Sequence, residues 1–144
     1  DICKRYDEWE GEDYDGTSVR ALMKVLRLLG YCAFYEWAFS LEEGLPHLLE
    51  KGPLIAGTTW TYDMCYPDTR GIITPTGKVL GGHAFMVCSC DLDRELIGIR
   101  NSWGNDWGCE GKAYMSFANF DSLVKDEGEL TTGVEVKLRA PWDV

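Results

Sequence analysis

The stretch Gly81-Gly82-His83-Ala84-Phe85-Met86-Val87, with Asn101-Ser102-Trp103-Gly104-Asn105-Asp106-Trp107-Gly108-Cys109-Glu110-Gly111 after it, says more about this chain than any other part. It sets His83 at the head of an apolar strand and Asn101 at the end of the next one, and a hairpin of that length brings the two side chains together. A neutral amide oxygen accepts a hydrogen bond from a ring nitrogen and holds the imidazole in one tautomer. Trp103, two residues further on, covers that bond and keeps water from competing for it. Glycines 104, 108 and 111 allow tight turns and close packing against two indoles. A lone histidine in such a place is ordinarily a core or edge residue. The compound pattern argues against that reading here.

The flanking sequence supplies the elements around this pair. Thr17 or Ser18 caps a helix whose apolar face is Val19, Leu22, Met23, Leu26 and Leu29. Arg20, Lys24 and Arg27 take the opposite face, and Gly30 stops it. Residues 31–45 are aromatic and read as irregular. A short helix over Pro46–Lys51 ends at Gly52-Pro53, because proline cannot continue it. Leu54–Tyr62 reads as a strand from its apolar opening and β-branched content. Residues 63–82, rich in glycine and proline, read as a long surface loop. Further strands are predicted at 83–90, 95–101, 111–117 and 133–138. Strands without long intervening helices point to an antiparallel sheet that curls into a barrel.

Composition narrows the function classes. Of 144 residues, 45% are hydrophobic and 26% charged, which suits a soluble domain with a real core. Asp and Glu number 24 against 14 Lys and Arg, a net charge of −10 that argues against a nucleic-acid surface. No apolar run approaches the roughly 18 residues of a membrane span. Cys3, Cys32, Cys65, Cys88, Cys90 and Cys109 include no CxxC pair, and with His83 and His47 the only histidines a structural zinc site is not expected. Cys88 and Cys90 point the same way along a strand, which disfavours a bond between them. The other cysteines are open to either reading, packed thiol or half-disulfide, and no compartment follows from them. The acidic run Asp7–Asp13 lacks the spacing of a calcium loop and reads as a solvated turn. His47 reads as a surface or boundary residue. No metal and no cofactor is expected.

The chain resembles the papain-like cysteine peptidases. Gly82-His83-Ala84 is similar to the family's histidine strand and Asn101-Ser102-Trp103-Gly104 to its asparagine motif, with Trp107, Gly108, Gly111 and the strand through Tyr114 continuing the match. Asp15-Gly16-Thr17-Ser18-Val19-Arg20 is similar to the Gly-rich segment before a helix, although Asp15 stands where a first glycine is common. Pro53–Tyr62 resembles the strand that opens the barrel subdomain. The likeness runs from about Tyr14 to Phe117. It implies an α+β fold, an incomplete papain-like one: a helix of the helical subdomain (residues 1–40) plus an antiparallel β-barrel-like subdomain (41–144). By resemblance His83 is the acid/base, Asn101 its orienting group, Trp103 a shield that lines the leaving-group side of the cleft, and Gly16 and Gly82 contact the substrate backbone.

The nucleophile is missing from this picture. In such enzymes the histidine follows the catalytic cysteine by roughly 130 residues or more, and counting back that far from His83 runs off the start of the chain. Cys3 lies in Asp-Ile-Cys-Lys-Arg, with no helix start to lower its pKa, and the other cysteines sit beside or after the motif. The chain contains no glutamine to complete an oxyanion hole. The resemblance therefore implies a cysteine-type peptidase in which this chain supplies His83 and Asn101 but no recognisable nucleophile, and which is inactive alone. The absence of an initiator Met agrees with a trimmed piece of something longer. The alternative is a catalytically inactive papain-like domain, a structural or adaptor component of a larger assembly; a third reading is a small β-rich binding domain. The expected partners are a peptide or protein substrate, and a missing N-terminal segment or partner chain over the apolar face of helix 17–30.

Overall fold

The structure, a computed structural model, describes residues 2–7 and 16–134. Its elements are α1 (Val19–Leu28), β1 (Phe34–Ala38), α2 (Leu41–Glu50), β2 (Leu54–Thr61), β3 (Val79–Asp91), β4 (Leu96–Arg100), β5 (Lys112–Ser116), α3 (Phe117–Lys125) and β6 (Glu129–Val134). Short 3-10 turns lie at Cys3–Tyr6 and Tyr62–Cys65. The strands form an open sheet in the order β1-β6-β2-β3-β4-β5. The chain divides into two compact units, one of Asp1–Glu36 with Thr132–Val144 and one of Trp37–Thr131.

The larger unit holds the motif. β3 pairs antiparallel with β2 on one side and with β4 on the other, and β5 pairs antiparallel with β4. Alternation along β2 sends Leu54, Ala56, Thr58 and Trp60 to the buried face, where they meet Phe85, Val87, Ile97, Ile99, Ala113 and Met115. Two helices close this core. α3 contributes Phe120, Leu123 and Val124, spaced one helical turn apart, and α2 contributes Leu41 and Leu48. α2 lies so close to the sheet that a Cβ on Gly44 would stand 2.7 Å from a methyl of Leu130 and 3.2 Å from one of Leu54. β5 is an edge strand, but Tyr114 donates its N–H to the Gly71 carbonyl at 2.8 Å and accepts from the Ile73 N–H at 2.8 Å. Asp68 shapes that segment by accepting the N–H groups of Arg70 and Ile72 at 2.8 and 2.9 Å.

Several boundaries differ from the sequence reading. α2 begins at Leu41 rather than Pro46, because Ser40 accepts the Glu43 N–H at 3.2 Å while the Glu43 carboxylate accepts the Phe39 N–H at 2.8 Å. These bonds cap a helix that then accommodates Pro46 inside it. Phe34–Ala38 is a strand within the stretch read as irregular. β3 starts at Val79, inside the expected loop, because Gly81 and Gly82 pair with Trp60 and Thr59. α3 was not expected; Ser116 caps it by accepting the Asn119 N–H at 3.2 Å. The last strand is Glu129–Val134 rather than 133–138, and residues 135–138 lie outside the described ones, as do Asp15 and residues 8–13 of the acidic run.

The smaller unit contains α1, with Ser18 as its cap at 3.1 Å from the Ala21 nitrogen. Val19, Ala21, Met23 and Val25 are buried, while Leu22 and Leu26 are half-buried and Leu29 is 57% exposed. The expected face is therefore only partly right. Burial is deepest at Ala21 and Met23, and it fails at the helix end, where Leu28, Leu29 and Tyr31 are exposed.

Candidate functional site

His83 and Asn101 come together as the spacing anticipated. The β3–β4 hairpin brings His83 Nε2 to 2.9 Å from Asn101 Oδ1. The amide orientation follows from its other partner: the Ser102 N–H donates to the same Oδ1 at 2.8 Å, which requires an acceptor there. Oδ1 has no proton to give, so Nε2 must be the donor in this pair. In the neutral ring that leaves Nδ1 as the basic nitrogen. Among the described residues Nδ1 has no hydrogen-bond partner. The backbone of Asn101 is fixed as well, by its N–H donating to the Gly111 carbonyl at 2.9 Å.

Aromatic rings enclose the pair. The Trp103 ring lies 4.9 Å from that of His83, as its place in the motif suggested. Trp60 lies closer still, at 4.7 Å with the planes 62° apart, and is buried where Trp103 is half-exposed. The sequence reading did not single out Trp60. The signal was in the register: Thr58 pairs with His83, so Trp60 is the diagonal neighbour on the same face. Trp107 packs on Trp60 and Trp103 and donates its indole N–H to the Cys65 carbonyl at 2.9 Å. Among the described residues the buried Trp60 Nε1 and Asn101 Nδ2 have no hydrogen-bond partner.

The turn glycines make tight turns, as the sequence leads one to expect. Gly104, Gly108 and Gly111 all have positive φ, as tight turns require, and at Gly108 and Gly111 the nearest atoms a Cβ would meet are backbone carbonyls. A Cβ on Gly108 (φ +61°) would collide with the Lys112 carbonyl, and one on Gly111 would stand 3.1 Å from the Gly104 carbonyl. Gly82 is exposed on β3 beside His83, with open space where a Cβ would go. Gly16, in the other unit, has φ +133° and precedes the Ser18 cap.

No thiol among the described residues is hydrogen-bonded to His83, and all six cysteines are unpaired. Cys88, at the bulge in β3, points its Sγ at the Gly98 carbonyl at 3.4 Å, and Cys65 contacts the Thr61 carbonyl. Burial, and secondarily the Asp91 charge, push the Cys90 thiol up, so it is a poor source of thiolate. Cys32 is buried in the smaller unit, Cys3 lies in the first 3-10 turn, and Cys109 is exposed in the glycine turn. His47 is half-buried on α2. Among the described residues no group of His, Cys, Asp and Glu could hold a metal ion, and no helix is long and apolar enough to cross a membrane.

Comparison with known proteins points one way. No family model matches the chain and no curated protein matches it by sequence. Solved structures do match. Xylellain, a cysteine protease from Xylella fastidiosa, aligns at 22% identity and a TM-score of 0.59, covering 72% of this chain and 40% of its own. Procathepsin B S9 from Trypanosoma congolense aligns at 18% identity and a TM-score of 0.60, covering 74% and 37%. Digestive procathepsin L 3 of the Tenebrio molitor larval midgut aligns at 15% identity and a TM-score of 0.51, covering 72% and 35%. The chain thus spans 35–40% of the length of these structures. Its fold is α+β, of the papain-like cysteine peptidase kind and incomplete, with helices packed on an antiparallel sheet.

Proposed function

We propose that this chain is the histidine- and asparagine-bearing part of a papain-like cysteine-type peptidase. The observation that carries the reading is the Asn101 amide oxygen 2.9 Å from His83 Nε2, with its orientation dictated by the Ser102 N–H. That arrangement leaves Nδ1 to exchange a proton with a thiol. In the proposed reaction a cysteine thiolate attacks the peptide carbonyl and protonated His83 passes its proton to the leaving amine. Water then attacks the thioester while His83 accepts a proton from the water; the C–S bond breaks, releasing the acid and restoring the thiolate and imidazolium. Asn101 keeps the ring oriented through both steps, Trp103 shields the bond between them, and Gly16 and Gly82 contact the substrate backbone. Residues 1–40 are the remnant of a helical subdomain and 41–144 the barrel subdomain. The nucleophile belongs to protein outside residues 1–144. The same outside segment or partner chain covers the apolar end of α1, where Leu28 and Leu29 are exposed.

A second reading is a catalytically inactive papain-like domain serving as a structural or adaptor component. What favours it is that none of the six thiols bonds to His83. Intact mass of the denatured protein isolated from its source separates the two. A mass well above 16.3 kDa, with a cysteine at a helix start in the additional sequence, supports the peptidase. A mass matching these residues, with no such cysteine on a bound partner, sinks it. Purified 1–144 is expected to leave a general peptide substrate uncut. Clear thiol-dependent turnover by this chain alone would overturn the view that its nucleophile is external.

A further inference from the structure

We infer that Trp60 is a positioning residue for His83, holding the imidazole so that Nε2–H stays on Asn101 and Nδ1 stays available. A single hydrogen bond leaves a histidine ring poorly restrained, because rotation about χ2 is broad and roughly two-fold. A flip of the ring would take Nε2 away from Asn101. The centroids of His83, Trp60 and Trp103 form a near-equilateral triangle with sides of 4.7, 4.9 and 5.6 Å. Both indoles therefore brace one side of the imidazole while Asn101 holds its Nε2 corner. Trp60 is the rigid brace of the two, being 3% exposed against 44% for Trp103.

A second observation concerns cost. The Trp60 Nε1–H is buried with no partner among the described residues, where such groups are nearly always paired. A phenyl ring would fill most of this space without that penalty, so no hydrogen bond accounts for the indole. Its ring packing does, against Phe85, Trp103 and Trp107 and, at the shortest centroid distance, against His83. Trp107, also buried in the same cluster, packs on Trp60 and Trp103 rather than on His83.

The inference rests on the reading of His83 as the acid/base, but its test needs no nucleophile. In the full 144-residue chain, labelled with 15N, ring nitrogen shifts give the His83 tautomer and the Hε2 signal gives its exchange with solvent. His47→Asn removes the other histidine from the spectrum. The expected result is a dominant Nε2–H tautomer with a protected Hε2. In Trp60→Leu exchange should be faster, on the order of tenfold, the factor an aromatic pair corresponds to, with the two tautomers mixed. Trp60→Phe should show a smaller acceleration of the same kind, and Trp107→Phe none. Should the leucine variant fail to fold, the two phenylalanine variants decide. Equal Hε2 protection in Trp60→Phe and the parent, or equal loosening by Trp60→Phe and Trp107→Phe, overturns the inference. A peptidase reading that failed on the longer protein would leave these spectra unchanged.

Discussion

Two polar corners of the larger unit are built on opposite principles. At the α2–α3 corner, Asp121 accepts the Leu41 N–H at 2.8 Å through one oxygen and the Lys125 ammonium at 2.6 Å through the other. Both oxygens of the carboxylate are engaged, and Lys125, then the Leu41 N–H, hold its pKa below the ordinary value. At the β3–β4 corner, His83 and Asn101 share one hydrogen bond and are wrapped in indoles, and among the described residues Trp60 Nε1 and Asn101 Nδ2 have no partner. The first corner joins two helices and has no polar group to spare. The second rests on one side-chain hydrogen bond set among indole rings, with no ion pair beside it among the described residues.

The contrast can be broken by substitution. Asn101→Ala strands the Ser102 N–H and the His83 Nε2–H, and is expected to lower the unfolding free energy by about 2 kcal/mol in urea titration. A loss within experimental error would mean that the pair is not formed. Asp121→Ala removes the acceptor for Leu41 and should cost about 1–1.5 kcal/mol, with Asp121→Asn recovering part of it. A carboxyl with a lowered folded pKa stabilises above the ordinary carboxylate range, and the stability is lost as pH falls through its folded value. The Asp121→Asn deficit should therefore shrink in acid; one that grew would contradict the assigned bonds. Next comes a difference between indoles: Trp107→Phe breaks a bond to Cys65, whereas Trp60→Phe removes an unpaired N–H. The first should be about 1 kcal/mol less stable than the second, and the reverse order would show the Trp60 N–H to be paired after all. Smallest is Lys125→Ala, whose urea midpoint should stay within experimental error of the parent, because the Lys125 end of that ion pair is exposed to water.

How much of this was legible in the sequence depended on the kind of signal. The His83–Asn101 pair was, because hairpin register turns a linear spacing into a contact. So were β2, β4 and β5, whose apolar runs end at turn residues. The start of α2 was missed although Ser40-Leu-Glu-Glu43 is a capping-box sequence, since Pro46 is itself a strong signal for a helix start. α3 follows β5 directly, and Ser116 both ends the strand and caps the helix, so no turn marks the change of period. Trp60 was hidden for another reason. Its importance comes from which residue lies diagonally across from it, and only the β2–β3 register gives that.

The short segment at 71–73 that pairs with Tyr114 has a consequence for how copies of this protein behave in company. An uncovered edge strand is a template on which another chain can add, and β5 would offer one. By occupying the main-chain groups of Tyr114, the segment denies passing molecules that template at the middle of the strand. Asp68, its carboxyl kept ionised by the Ile72 N–H and then Arg70, is the latch on this guard. The cover of this edge is thus held partly by one exposed carboxylate, alongside the backbone bonds between Asp68 and residues 71 and 72.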